Sequence, residues 1–125
     1  PQADSWQQVA SMPQPLYNMA ATAMGGKIYV TGGNTQLSSV SIESSVYVYD
    51  PQANTWTQLA SMGIARRSHA SAAVGGKLYV FGGYADGGYT SGRLSTAEVY
   101  DPASDSWAPV ASLISTRGLL VAVAL

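Results

Sequence analysis

Few side chains in this chain are suited to chemistry. There is one histidine, His69, and there is no cysteine. The seven carboxylates are Asp4, Glu43, Asp50, Asp86, Glu98, Asp101 and Asp105. A metal site of His and carboxylates needs several convergent ligands. His69 stands beside Arg66 and Arg67, whose charges repel a cation, so it reads as a strand-start residue bonded to backbone. Serines are plentiful, but nothing local marks a Ser-His-Asp triad. Asp50 and Asp101 sit at repeated turn positions, as do Asp4 and Asp105, and read as structural caps. Glu43, Asp86 and Glu98 remain, and no pair among them is singled out as acid and base. The stretch GGYADGG at 82–88 lacks both the Lys-Ser/Thr ending and the following helix of a phosphate-binding loop. The reading is therefore of no catalytic constellation, no metal and no cofactor.

What remains is chemistry of contact. Arginine and tyrosine are favoured where one protein grips another. Tyr84, Tyr89 and Arg93 lie in one variable segment, while Arg66, Arg67 and His69 precede a short apolar stretch. These six are the candidate binding residues for a protein or glycan ligand. The elements that must position them come from a repeat. The three tryptophans fall at Trp6, Trp56 and Trp107, separated by 50 and 51 residues. Each lies in one phrase: PQADSWQQVASM, PQANTWTQLASM and PASDSWAPVASL. MGGKIYVTGG at 24–33 answers VGGKLYVFGG at 74–83, and VYVYDP at 46–51 answers AEVYDP at 97–102.

Each phrase reads as a strand or a turn. Residues 27–31 and 77–81 are β-branched and aromatic runs between glycine pairs. Residues 46–49 and 97–100 are short strands stopped by Asp-Pro, since proline has no N–H to give to a ladder. Residues 6–10, 56–60 and 107–111 form the next strand, after turn pairs such as Asn54-Thr55. Residues 19–24, 70–74 and 119–125 are small and apolar, which suits a strand near an axis. No stretch shows a convincing helical period. The expectation is all-β, with four antiparallel strands per repeat.

This arrangement resembles the kelch repeat. The residues that carry the resemblance are Gly32, Gly33, Tyr49, Asp50 and Trp56, then Gly82, Gly83, Tyr100, Asp101 and Trp107. The resemblance covers essentially the whole chain and implies a β-propeller, each repeat forming one radial blade. It also implies an Arg before the innermost strand. Arg66 and Arg117 fit that position, and Leu16 departs from it. The blades read as 14–62 and 63–113, with 1–13 as the outer strand of a preceding blade and 114–125 as the inner strand of a following one.

A propeller typically has four to eight blades, so two cannot close a ring. A blade face of roughly 350 Å², from strand spacing and length, is worth at most about 9 kcal/mol when buried. The open faces therefore call for further blades, in the same polypeptide or in copies of the chain. The Tyr and Trp rings read as filling between blades. The two segments least like a repeat, 34–45 and 84–96, are the loops where binding belongs.

Composition narrows the partner. Hydrophobic residues make up 46% of the 125, enough for a packed core. Charged residues are 10% and the net charge is −1, with only six Lys and Arg, so nucleic acid is not an expected partner. The longest apolar run, 118–125, is too short to span a bilayer, and no membrane role is expected. No initiator Met opens the chain and no signal peptide is visible, so the ends read as cut. The absence of Cys and the low Lys content lean toward a bacterial, exported source. The leading reading is a non-catalytic binding scaffold. The alternative is part of a propeller enzyme, of the sialic acid mutarotase or another carbohydrate-active kind, with catalytic residues on other blades.

Overall fold

The structure is a computed structural model that describes residues 4–35, 41–86 and 92–117 together with Ala122. Eight strands are formed: β1 (Ala20–Met24), β2 (Lys27–Thr31), β3 (Val46–Asp50), β4 (Thr55–Leu59), β5 (Ala70–Val74), β6 (Lys77–Phe81), β7 (Ala97–Asp101) and β8 (Ser106–Val110). They make two four-stranded antiparallel sheets, each in simple chain order. The expectation of two all-β blades is met, and the described residues close no ring.

Local chemistry explains each blade. Gly25-Gly26 and Gly75-Gly76 hold φ of 58–76° between β1–β2 and β5–β6. Such two-residue turns need positive φ at both positions, which glycine adopts without strain. At the β3–β4 turn, Asp50 Oδ1 accepts the amides of Gln52 and Ala53. The Ala53 amide is the main cause of an Asp50 pKa below the ordinary value. Asp101 likewise accepts the Ala103 amide. The caps read from the sequence at Asp50 and Asp101 are present.

The core lies between the blades. Tyr29 and Val48 of the first blade meet Leu78 and Tyr100 of the second. Val46 meets Val80 and Met62 beside it. The Tyr29 and Tyr100 rings are 6.2 Å apart. On the two outer faces, two of the equivalent positions, Ile28 and Val74, are exposed. Ile28 is 40% exposed where its repeat equivalent Leu78 is 0% exposed.

A repeated clasp joins each blade to the phrase before it. The Ala10 amide donates to Asn54 Oδ1 at 2.8 Å, and Trp56 Nε1 donates to the Ala10 carbonyl at 2.9 Å. One repeat later the Ala60 amide donates to Asp105 Oδ1 at 3.0 Å, and Trp107 Nε1 donates to the Ala60 carbonyl at 2.9 Å. Tyr49 and Tyr100 donate their hydroxyls to the same Asn54 and Asp105 oxygens. Each tyrosine also packs on its tryptophan at 5.2 Å. Asn54 and Asp105 have φ of 53° and 46°, where Asn and Asp are favoured over other side chains.

The clasp makes a sharp expectation. Asp105→Asn should keep the unfolding midpoint of the native chain, because Asn54 does the same task in the first blade. Asp105→Ala should lower it by stranding the Ala60 amide and the Tyr100 hydroxyl. Trp107→Phe, which removes one donor, should cost about 1 kcal/mol. Denaturant unfolding of the three variants checks this, and an Asn variant as weak as the Ala variant would refute the clasp.

One strand expectation is corrected. Residues 6–10 carry no strand, and Trp6 is fully exposed whereas Trp56 and Trp107 are half-buried. The phrase is repeated, but the described residues supply no neighbouring strand with which 6–10 could form a ladder. Of the inner strand expected at 114–125, residues 118–121 and 123–125 lie outside the described residues. Arg117 forms an isolated bridge with Leu94.

Candidate partner-binding surface

The segments flanking the strands at the β1 and β5 entry are tied into short rungs. Tyr17 bridges Asn34, which bridges Ile42; Arg67 bridges Tyr84, which bridges Arg93. Directly opposed residues of antiparallel pairs place their side chains on one face. Arg67, Tyr84 and Arg93 thus form a row across the second blade, and Tyr17, Asn34 and Ile42 form its counterpart on the first.

The row is graded in exposure. Arg67 and Tyr84 are buried, and Arg93 is exposed. The Arg67 guanidinium lies 5.0 Å from the centre of the Tyr84 ring, a cation–π contact. Arg67 Nε also donates to the Asp86 carbonyl at 2.9 Å. These contacts fix the base of the row and leave the Arg93 end to solvent. In the first blade the exposed member is Tyr17. Tyr89 lies outside the described residues.

Two expected contact residues are corrected. Arg66 is 0% exposed. Its Nη1 donates to the Gly82 and Thr96 carbonyls, and its Nη2 to Thr96 Oγ1 and Glu98 Oε2. Glu98 in turn accepts the amides of Gly63 and Ile64. Burial draws the Arg66 pKa down, and Glu98 opposes that shift. The guanidinium is spent on holding the blade together, so it is not available to a ligand. Sequence reading missed Glu98 as its partner. The signal was there: the positions of Gly63, Arg66 and Glu98 in the first repeat hold Pro13, Leu16 and Tyr47. Acid, base and amide donor are exchanged together.

His69 is also buried, in the seam. Its Nε2 shares a 2.7 Å hydrogen bond with Thr31 Oγ1 of the first blade, not with backbone as expected. Its Nδ1 is buried without a hydrogen-bond partner. Burial, reinforced by the Arg66 charge, pushes its pKa down to about 3, so the ring is neutral at pH 7. Gly32 explains the tight fit: a Cβ there would lie 2.9 Å from the imidazole Cε1 and closer still to the Arg66 carbonyl. Gly32→Ala should therefore separate the blades and lower the cooperativity of unfolding, as read by circular dichroism during heating. Native-like melting would show that the seam tolerates the methyl group.

Among the described residues, no three His, Cys, Asp or Glu side chains come together as a metal site would require. What the surface offers is a rigid base with an exposed guanidinium, suited to gripping a partner.

Comparison with known proteins agrees with this architecture. The model of the KLHDC2/KLHL20/DRC7 Kelch-repeats domain matches residues 2–118. Kelch-like protein 25 of Xenopus tropicalis is 35% identical over 113 residues, which are 90% of this chain and 18% of that protein. Beta-scruin of Limulus polyphemus is 38% identical over 55 residues, 41% of this chain and 6% of that protein. The chain therefore spans under a fifth of the length of either relative. The solved structure of YjhT superposes with a TM-score of 0.76 at 19% identity, covering 90% of this chain and 44% of YjhT. At that identity the likeness concerns the fold. With the repeated glycine pairs, the Tyr-Trp clasps and a family match across both blades, the chain belongs to the kelch-repeat family of β-propellers.

Proposed function

We propose that the chain is part of a non-catalytic protein-interaction scaffold, and that the partner sits on the Arg67–Tyr84–Arg93 row. One observation carries the reading. The row is the place where an exposed arginine is mounted on a buried, hydrogen-bonded base beside the loop least like its repeat counterpart. A rigid scaffold presenting a variable loop is the usual home of binding residues. Arginine on a preorganised support loses little freedom on contact, which favours affinity. Tyr17 extends the surface onto the first blade. A protein partner suits this broad, shallow arrangement better than a glycan, which would call for an open aromatic platform. The exposed tryptophan, Trp6, lies off the row.

The immobilised chain and its Arg93→Glu variant should be compared for capture from a cell extract, with quantitative mass spectrometry. The reading expects a protein enriched on the native chain and lost from the variant, with both melting alike. The same set of proteins on both would remove Arg93 and the row from the account.

A further inference from the structure

The outer edge of the first blade, which shares no residue with the binding row, is open. β4 is the last strand of its sheet and borders β3 alone. In an antiparallel pair, alternate residues turn both main-chain groups toward the partner strand, and the residues between turn theirs away. Ala60, just after β4, fixes which are which: its amide and carbonyl point outward, to Asp105 Oδ1 and Trp107 Nε1 of the second blade. By the same alternation Trp56 and Gln58 turn their N–H and C=O groups to the rim, and no described residue bonds them there. β8 agrees with this alternation. Pro109 holds the position of Gln58, opposite Glu98, and stays within the ladder because the N–H it lacks would face outward.

An open strand edge invites pairing, and natural sheets guard it with proline or charge. β8 has that guard in Pro109, with Asp105 just before its first residue. β4 has neither: no charged residue occurs from 51 to 61, and Thr55, Thr57 and Gln58 are exposed. The edge is also bracketed. Ala10 is bound at the Asn54 and Trp56 end, and Ala60 is bound to the second blade at the other. Between the brackets lies the five-residue length of β4. The outermost strand of a blade keeps its edge on the rim whatever number of blades completes a propeller.

We propose that β4 is a strand-addition site, on which an extended, uncharged segment of a protein partner pairs with Trp56 and Gln58. The main chain of that segment gives an acceptor to each outward N–H and a donor to each outward C=O. The neutral rim offers a charged segment no counter-charge, which favours an uncharged one. A β-branched residue beside Thr57 suits the pairing, because Thr–Thr and similar cross-strand pairs are favourable. Pro109 keeps β8 out of the same role.

Amide hydrogen exchange of the full chain, read by NMR, tests this with the capped peptide Thr-Val-Thr-Val-Thr as probe. The Trp56 and Gln58 amides should exchange severalfold more slowly as peptide is added, while Thr57, whose amide already serves β3, should not change. The same peptide N-methylated at every residue should protect neither amide. Gln58→Pro, which copies Pro109, should melt like the native chain by circular dichroism and lose the protection at Trp56. Pro109→Gln should bring peptide protection to the Trp107 amide, a second reading where Gln58→Pro does not fold. Unchanged exchange at Trp56 and Gln58 up to the solubility of the peptide would overturn the proposal. So would equal protection by the methylated peptide or in Gln58→Pro. Slowing of both amides with the concentration of the chain alone would assign the edge to a second copy, and would overturn it too.

Discussion

Arg66→Leu is expected to lower the unfolding free energy by about 3–5 kcal/mol, the usual cost of stripping one partner from a buried ion pair. Arg66 and Glu98 meet at 3.0 Å, with side chains 0% and 6% exposed. Without the guanidinium, a carboxylate stays in the blade with only two amides to satisfy it. Exposed pairs such as Lys27–Asp50 and Lys77–Asp101 are worth far less. The double exchange Arg66→Leu with Glu98→Tyr should recover most of the loss, because Leu16 and Tyr47 occupy the same positions in the first blade. A residual deficit of about 1–2 kcal/mol is expected, since the Gly63 and Ile64 amides lose their acceptor, whereas the first repeat has Pro13 at the position of Gly63. Urea unfolding of the native chain, the single variant and the double variant measures all three. A double variant as weak as the single one would mean that the two blades do not use interchangeable pairs.

Acid is expected to loosen the seam through His69. In the folded chain its pKa is pushed down to about 3 from 6.5. Above pH 6.5 the ring is neutral in both folded and unfolded chains and contributes no slope. Below pH 6.5 the unfolded chain takes up a proton that the folded chain refuses, so stability falls until the folded ring also protonates. At about 1.4 kcal/mol for each unit, the loss by pH 4 is on the order of 3 kcal/mol. Asp50 and Asp105 add an acid loss of their own, because their folded values are lowered from 3.8 and their stabilisation disappears as pH falls through those values. The comparison that isolates the imidazole is His69→Met, which copies Met19 of the first blade. Denaturant midpoints between pH 7 and pH 4 should decline much less in that variant. Parallel pH profiles would show that His69 is reached by water and titrates freely.

The fold was legible because its determinants are local and come twice. Glycine pairs, Asp-Pro stops and β-branched runs mark strand ends within a residue or so, and the fifty-residue spacing places four strands in each blade. The clasp was half legible. The repeated Asp/Asn and Trp were visible, but the partner of each lies some 45 residues earlier in the chain, so only the folded seam could show that Ala10 and Ala60 complete it. The site was less legible. Arg66, Arg67 and His69 enter the inner strand along the blade boundary, and charged residues of that kind usually face water. Here two partners outside the segment, Glu98 and Thr31, allow Arg66 and His69 to be buried. Comparing the two repeats for joint exchanges would have found Glu98, because Arg66 and Glu98 change together to Leu16 and Tyr47. No such comparison reveals Thr31, because it is conserved in neither chemistry nor size by its counterpart Phe81. Trp6 shows the converse: a phrase identical in type carries no strand, and no strand of the described residues lies beside it.

The most direct test of the account is the affinity of the captured partner for two charge reversals at opposite strand ends. Arg93→Glu alters the proposed row, and Lys77→Glu makes the same charge change at the start of β6, far along the strand from it. Isothermal titration should show at least about a tenfold loss for Arg93→Glu, the equivalent of about 1.4 kcal/mol, and little change for Lys77→Glu. Equal losses, or a loss confined to Lys77→Glu, would contradict a partner seated on the Arg67–Tyr84–Arg93 row.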